Sequence, residues 1–203
     1  MNRSNNRKRA IETIKKTFGG QLRMSDAVNA GITRTVLYGL HEDGILEKIS
    51  RGVFRLKELP SISNPDLAII ALRSPKAVLC LISALSFHEI TTQIPHKIYI
   101  ALPIKTISPR VDDLPLSVHW FSGQSYQSGI EEHEIDGVKV KVYSVEKTLA
   151  DCFKFRNAIG MDVVLEALKL YRSRKRLNVS DLLKYARICR VERVMTPYLE
   201  ATL

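Results

Sequence analysis

The sequence predicts an α+β fold divided into two domains. Residues 22–56 have the pattern of two short helices followed by a β-hairpin. Strand patterns recur between residues 97 and 143, and amphipathic helical patterns follow from residue 144 onwards. Because the first pattern needs only about 60 residues, the 203-residue chain has enough length left for a second core.

The composition is typical of a globular protein. Hydrophobic residues make up 45% of the chain and charged residues 26%. We expect neither a membrane span nor a secretory signal, because no apolar run approaches ~20 residues and no apolar segment follows the basic N-terminus. The cysteines Cys80, Cys152 and Cys189 lack the spacing of metal or redox pairs, so we expect reduced thiols in the cytoplasm and no metal or cofactor.

Positive charge is concentrated at both ends of the chain, and the net charge is +10. Lys plus Arg outnumber Asp plus Glu by 12 to 6 in residues 1–58 and by 13 to 7 in residues 141–203, whereas residues 59–140 hold 6 against 8. A basic face attracts polyanions and supplies the phosphate contacts that dominate nonspecific DNA affinity. A solvated surface with a high isoelectric point would have the same composition.

Two helices are predicted before the most polar segment of the first domain. Residues 5–18 predict a helix that a Gly-Gly pair ends. Ser25 is a suitable N-cap for a short helix over residues 26–30. Gly31 suits the left-handed conformation that often follows a helix.

The third helix carries most of the polar side chains expected at a binding surface. Thr33 is its predicted N-cap, and the helix extends to about Asp43. Helical periodicity separates an inward face from a polar face. The inward face holds Val36, Leu37 and Leu40, and the polar face holds Arg34, Tyr38 and His41.

A β-hairpin is predicted after the third helix. The segments LEKI and VFRL, at residues 46–49 and 53–56, are joined through Ser50, Arg51 and Gly52. Alternation sends charged and apolar side chains of the first segment to both sides, so at least one strand is expected to be only partly buried. Arg51 at the tip can reach a phosphate or the minor groove.

The order helix, turn, helix, hairpin is that of a winged helix-turn-helix, which places its second helix in the DNA major groove and its hairpin along the backbone. Arg34 is the strongest candidate, because a guanidinium can bind a guanine or a phosphate through two hydrogen bonds. For Tyr38 and His41, packing against the core is the alternative role. The residues expected to contact DNA are Ser25, Thr33, Arg34, Thr35, Tyr38, His41, Lys48, Arg51 and Arg55.

A boundary is predicted after the hairpin. Residues 59–64, rich in proline and serine, predict a linker between a DNA-binding domain at residues 1–58 and a second domain at residues 65–203. The second domain is expected to open with a helix, because Asn64 can cap it and Pro65 suits its first turn.

The second domain is predicted to be a mixed sheet followed by a helical group. Residues 77–87 predict an apolar core segment, with a helix over residues 83–89. Strands are predicted at residues 97–102 and 116–121, and the Asp-Gly pair within residues 134–143 predicts a hairpin. Helices are predicted over residues 145–155, 161–172, 179–189 and 192–201, with Ser144 and Asn178 as N-caps and with Val164, Leu165 and Leu168 facing inward.

Two phrases in the second domain stand out. The first is SALSFHEIT at residues 83–91, followed by the strand segment IYIALP, and the second is EKTLAD at residues 146–151. With the N-terminal module, they resemble the AbiEi family of antitoxins from type IV toxin-antitoxin (abortive infection) systems. The resemblance covers nearly the whole chain in the right order, and that order carries more weight than the short phrases.

The resemblance implies a DNA-binding antitoxin that represses its own operon through an operator with inverted repeats. It also implies a nucleotidyltransferase-like toxin encoded by a neighbouring gene, which the antitoxin opposes without necessarily forming a stable complex. Neither a membrane partner nor a catalytic role is expected. The residues that it marks in the antitoxin domain are Ser83, His88, Thr91, Lys147 and Asp151.

Structural roles are the alternatives for these residues. His88 and Glu89 are adjacent, but neighbouring helical residues point about 100° apart, so a packing histidine is the simpler interpretation. Lys147 and Asp151 can form an i,i+4 ion pair worth roughly a few tenths of a kcal/mol, or a polar patch that binds the toxin. A second nucleic-acid or toxin contact, or only a solvated loop, is the expected role of the basic run Arg172, Arg174, Lys175 and Arg176.

Two other classes of function are consistent with the sequence. One is a transcriptional regulator whose second domain senses a ligand or dimerises, with no antitoxin role. The other is a nucleic-acid-processing enzyme, although the sequence lacks the H-E-x-x-H, Walker, G-x-S-x-G and kinase phrases. We expect no enzyme, because the carboxylate clusters lie in polar, turn-like contexts, at Asp112, Asp113, Glu131, Glu132 and Glu134.

Overall fold

The chain forms two compact units in the computed structural model, which describes residues 3–111, 114–174 and 178–201. The first unit comprises Met1–Pro75 and Glu134–Val140, and the second comprises Lys76–His133 and Lys141–Leu203. The linker predicted at residues 59–64 therefore lies inside the first unit. No helix in the described ranges is both long and apolar enough to cross a bilayer.

The first unit combines helices with a small antiparallel sheet in the strand order β1-β3-β2. Its helices are α1 Arg3–Phe18, α2 Met24–Asn29, α3 Arg34–Glu42 and α4 Pro65–Arg73, and its strands are β1 Gln21–Arg23, β2 Leu46–Ser50 and β3 Val53–Leu56. The β1 strand was not predicted, because three residues are too few to display an alternating pattern. It exists through its pairing with β3, in which Leu22 lies opposite Phe54.

The second unit is built on a mixed sheet, as predicted, and the α+β class is confirmed. The strands of its sheet are β4 Val78–Leu79, β5 Ile98–Pro103, β6 Leu116–Phe121, β7 Ile130–Ile135 and β8 Val138–Tyr143. The end of β7 and the start of β8 belong to the first unit. The strand order is β6-β5-β4-β8-β7, with β5–β6 and β4–β8 parallel and β4–β5 antiparallel. The helices of the second unit are α5 Leu81–Phe87, α6 Gly123–Gln127, α7 Val145–Lys154, α8 Arg156–Ile159, α9 Met161–Arg174, α10 Val179–Cys189 and α11 Glu192–Glu200.

Each unit has its own apolar core. In the first, Leu37 and Leu40 of α3 are fully buried, as the helical periodicity predicted, together with Ile14, Leu22 and Phe54. In the second unit, α7 is the most enclosed helix, since every residue from Lys147 to Phe153 is buried.

One side chain on α9 was assigned to the wrong face. Val164 and Leu168 are buried as predicted, but Leu165 is 38% exposed. Val163 and Ala167 are buried instead. These four buried positions recur at the i, i+1, i+4 and i+5 spacing of one helical face, which excludes residue 165.

Three predicted N-caps are present and two are not. Thr33, Ser144 and Asn178 each accept a hydrogen bond from a backbone N–H in the first turn of their helix. Ser25 instead lies inside α2, whose N-cap residue is Arg23; its guanidinium binds the Asp26 carboxylate at 2.7 Å. The Asn64 side chain makes no capping hydrogen bond to α4.

The turn of the β7–β8 hairpin explains why residues 134–140 belong to the first unit. The Asp136 carboxylate accepts hydrogen bonds from the backbone N–H groups of Ser63 and Asn64, both at 3.0 Å, and from the Ser63 hydroxyl at 2.8 Å. The Gln21 amide donates to the Asp136 carbonyl. The hydrogen bonds from Asn64 and Ser63 to the carboxylate lower the pKa of Asp136, with the Asn64 backbone contributing most. The hairpin turn is thus bound to the segment before α4.

Candidate nucleic-acid interface

The turn between α2 and α3 is fixed by backbone hydrogen bonds. Gly31 has a φ of +82°, its N–H donates to the Val28 carbonyl at 3.0 Å, and the Ile32 N–H donates to the Ala27 carbonyl at 2.9 Å. This pair of bonds is the Schellman arrangement, which satisfies carbonyls at a helix C-terminus. Because Ile32 is buried, the turn holds the start of α3 against the core.

The N-terminal end of α3 is exposed and carries no acidic residue in its first turn. Thr33, Arg34 and Thr35 are all exposed. The Thr33 hydroxyl oxygen accepts a hydrogen bond from the Val36 N–H at 3.4 Å. Since the N-terminus of a helix is its positive end, Arg34 there reinforces a site suited to phosphates or to base edges.

Tyr38 and His41 both lie against the buried ring of Phe54, at centroid distances of 6.0 Å and 6.1 Å. Tyr38 is 47% exposed, so it packs on the core and still presents a surface to solvent. The Nδ1–H of His41 donates to the Leu46 carbonyl at 3.0 Å. His41 is exposed, so these contacts hold its ring in place and leave part of it open to solvent.

The hairpin of β2 and β3 presents two exposed cations, Lys48 and Arg51. The register shifts between Lys48 and Ser50, and Gly52 completes the turn. The Arg51 carbonyl accepts a hydrogen bond from Arg73 of α4. The backbone at the tip is thus held in place, while the Arg51 side chain extends into solvent.

Arg55 is not a candidate contact, which corrects the sequence-based assignment. Its side chain is 5% exposed, and its guanidinium binds the Glu47 carboxylate at 2.8 Å and the Pro60 carbonyl at 2.5 Å. The reason is the strand order: β3 is the central strand of the sheet, and all four of its residues are buried. Arg55 is an internal residue that ties β3 to β2 and to the chain after the hairpin.

Helix α1 contributes to this end of α3, which was not predicted. A groove of about 270 Å³ runs beside the α2–α3 turn, lined by Asn6, Arg9 and Thr13 of α1 and by Thr33 at the start of α3. Arg9 is exposed, and it adds a cation next to the α3 N-terminus. The high density of basic residues in α1 was the available signal, but periodicity alone does not pair α1 with this end of α3.

The segment SALSFHEIT at residues 83–91 contributes side chains that form hydrogen bonds to other elements of the second unit. The Ser83 hydroxyl oxygen accepts from the Tyr99 N–H at 2.9 Å, and the His88 Nε2–H donates to the Tyr143 carbonyl at 2.7 Å. The Thr91 hydroxyl donates to the Glu166 carboxylate at 3.2 Å. Hydrogen bonds from Thr92 and Thr91 lower the pKa of Glu166, those from Thr92 contributing most. Each motif side chain binds a different element, so the three do not converge on one site.

Lys147 and Asp151 form a fully buried ion pair, with an Nζ–Oδ2 distance of 2.5 Å. The predicted i,i+4 ion pair is present, and both side chains are buried, so they form no patch at the surface. Lys147 Nζ lies 4.1 Å from the ring centroid of Tyr143, and the Cys189 thiol donates to Asp151 at 3.2 Å. Burial raises the pKa of Asp151 against the opposing effect of Lys147, and burial together with Asp151 raises the pKa of Cys189 to about 12.

The remaining candidates are only partly covered by the structure. Arg172 is exposed on α9, Arg174 is the last residue of α9, and Lys175 and Arg176 lie outside the described residues. Within the described ranges, no three or more His, Cys, Asp or Glu side chains are grouped to hold a metal ion. Of the carboxylate clusters, Glu131, Glu132 and Glu134 are exposed, but they lie on strand β7 and not in the expected turn-like context. Asp112 and Asp113 fall outside the described residues.

Comparison with known proteins finds a similar fold. The crystal structure of the RV2827C protein from Mycobacterium tuberculosis matches with a TM-score of 0.55 and 15% sequence identity, covering 89% of this chain and 71% of that chain. At this identity the likeness concerns the fold alone. No family model matches the sequence, and no curated protein matches it significantly.

Proposed function

We propose that the protein binds double-stranded DNA through its first unit. In this proposal the unit acts as a winged helix-turn-helix, with α3 as the recognition helix and the β2–β3 turn as the wing. The observation that carries it is the exposed end of α3, where Arg34 stands between two threonines and the first turn holds no acidic residue. The exposed Arg51 at the hairpin tip and the exposed Arg9 beside the turn add cations suited to phosphate contacts.

Replacing Arg34 and Arg51 separately tests this interface. We expect Arg34→Ala to weaken operator binding by roughly 1 to 3 kcal/mol and to relax base preference, because it removes a contact to a base edge. We expect Arg51→Ala to weaken binding to all sequences evenly, because it removes a phosphate contact. Gel shifts on operator and scrambled duplexes at fixed salt measure both effects.

Lys169→Ala is a matched control, because Lys169 is an exposed cation on α9 of the second unit. Its affinity for both duplexes should equal that of the wild type. The interface is wrong if Arg34→Ala and Arg51→Ala also bind both duplexes with unchanged affinity.

The resemblance supports a further role, as an antitoxin that represses its own operon and counteracts a nucleotidyltransferase-like toxin. Because the motif residues Lys147 and Asp151 are buried, a protein partner would meet other side chains. Exposed apolar residues lie beside the edge strand β6, where the Trp120 indole donates to the Thr106 carbonyl. Ile107 is 89% exposed, Ile104 52% and Trp120 49%. Such a cluster is typical of a surface that binds another protein.

Co-expression with a neighbouring nucleotidyltransferase-like gene tests the antitoxin role. The wild-type chain should restore growth, and Trp120→Ser combined with Ile107→Ser should restore it less, while operator binding stays unchanged. Leu165→Ser is the control, because Leu165 is an exposed leucine on α9. Failure of the wild-type chain to restore growth, or absence of such a neighbouring gene, would favour a regulator without an antitoxin role.

A further inference from the structure

The second unit contains a basic cleft that the proposed DNA and toxin contacts do not use. Its volume is about 830 Å³, and it is bordered by α6, by the junction of α7 and α8, and by the end of α10. No carboxylate lines it, whereas four cations do: Lys154, Arg156, Arg187 and Arg190. A group of cations around a concavity focuses positive potential inside it.

Two of these cations have protein partners. Arg187 pairs with the Glu192 carboxylate at 2.8 Å, and Arg156 donates to the Phe153 carbonyl at 2.9 Å. Lys154 and Arg190 make no ion pair with any residue that the structure describes, although Lys154 Nζ lies 5.7 Å from the Phe121 ring centroid. Most of the positive charge at the cleft therefore remains available to an anion.

Ser125 supplies an independent indication of a ligand. It lines the cleft and is 8% exposed, and its hydroxyl oxygen has no hydrogen-bond partner among the described residues. Buried polar groups are nearly always hydrogen-bonded, since leaving one without a partner costs free energy. A hydroxyl without a partner at the wall of a cationic cleft is satisfied if it donates a hydrogen bond to a bound anion.

We propose that this cleft binds the phosphate groups of a small phosphorylated molecule. Lys154 and Arg190 neutralise the phosphate charge, and the Ser125 hydroxyl donates a hydrogen bond to a phosphate oxygen. We choose a small molecule as the occupant because the cleft has a volume of about 830 Å³, which lies within the usual size range of ligand pockets. The second unit would then sense a ligand in addition to the roles proposed above.

Calorimetric titration of the full chain with inorganic pyrophosphate tests the proposal. We expect measurable binding, weakened about tenfold in Arg190→Ala because a charge-assisted hydrogen bond is lost. Ser125→Ala should weaken binding by roughly threefold to tenfold. The melting temperature of Ser125→Ala should be unchanged or raised, because this variant removes a buried hydroxyl that has no partner among the described residues. Arg193→Ala is the control, since Arg193 is exposed on α11 and does not line the cleft.

Duplex DNA titrated into the same variants separates the two sources of phosphate. Pyrophosphate binding that depends on Ser125 and Arg190, with unchanged duplex affinity in both variants, supports the proposal. Absence of pyrophosphate binding up to about 1 mM, or equal binding by all variants, overturns it. So does loss of duplex affinity in Arg190→Ala without pyrophosphate binding. If α3 proves not to bind DNA, this test still stands, because it measures the binding of pyrophosphate and not of DNA.

Discussion

Lys147 and Asp151 place two opposite charges in the interior of the second unit. Their spacing of four on a helix predicts the ion pair, and the pair is present. Their complete burial was not predictable from the sequence, because lysine and aspartate are mostly exposed in folded proteins. Burial changes the energetics, since both charges lose water and depend on each other, on Cys189 and on the aromatic rings around them.

Lys147→Ala should lower the free energy of unfolding by about 3 to 5 kcal/mol, because it leaves the Asp151 carboxylate buried without its partner. Lys147→Met combined with Asp151→Leu should recover most of that loss, since neither charge is then buried. Urea denaturation followed by circular dichroism measures these differences.

An exposed pair of similar spacing provides the control for this prediction. Lys184 lies 3.7 Å from Asp181, and both side chains are largely exposed. Lys184→Ala should therefore cost less than about 1 kcal/mol. Equal losses in Lys147→Ala and Lys184→Ala would show that burial of the α7 pair has no energetic consequence.

At the scale of elements, periodicity and capping chemistry predicted most of what the structure contains. The buried face of α3, its Thr33 cap and the mixed sheet all follow from local patterns. The errors have a common physical origin, because Arg55 and Leu165 were assigned by local pattern while their burial depends on neighbouring elements. The position of Arg9 beside the start of α3 depends in the same way on how α1 packs.

Gly31→Ala tests the turn that positions α3. The variant should lower the free energy of unfolding by about 1 kcal/mol, because a φ of +82° strains any residue with a Cβ. An added Cβ would meet no atom within 4 Å, so the cost is conformational and not steric. Gly31→Asn should lose less, since asparagine tolerates this conformation. Chemical denaturation of the two variants compares them, and equal losses would point to a different cause.

At the scale of the whole molecule, the division into two units was predicted but its boundary was not. A stretch rich in proline and serine indicated a linker at residues 59–64, which is a local signal. Unit membership depends on contacts between distant parts of the chain, and these bring α4 and residues 134–140 into the first unit. No composition shift marks residues 134–140, and only the coordinates reveal the Asp136 contacts.

Asp136 gives this long-range connection a pH dependence. Its pKa is lowered in the folded chain, so the unfolded chain takes up the proton first as the pH falls. The stability that its carboxylate contributes is present above its ordinary pKa and is lost as the pH falls below about 4. We expect Asp136→Asn to melt below the wild type at pH 7, and the difference to shrink under acid conditions.

Asparagine is the matched replacement at this position, because it keeps the turn conformation at a φ of +52° while removing the charge. Thermal melts of both proteins across the pH range provide the measurement. A difference in melting temperature that stays constant down to pH 3 would contradict a role for the carboxylate charge.

The β7–β8 hairpin also determines when the first unit can be completed during translation. Residues 76–133, which belong to the second unit, leave the ribosome before the segment Glu134–Val140 that completes the first. At roughly 5–20 residues per second, the nascent first unit waits on the order of several seconds with the Asp136-binding groups of Ser63 and Asn64 still unoccupied. A translation product released within that interval therefore lacks part of the unit to which we assign DNA binding.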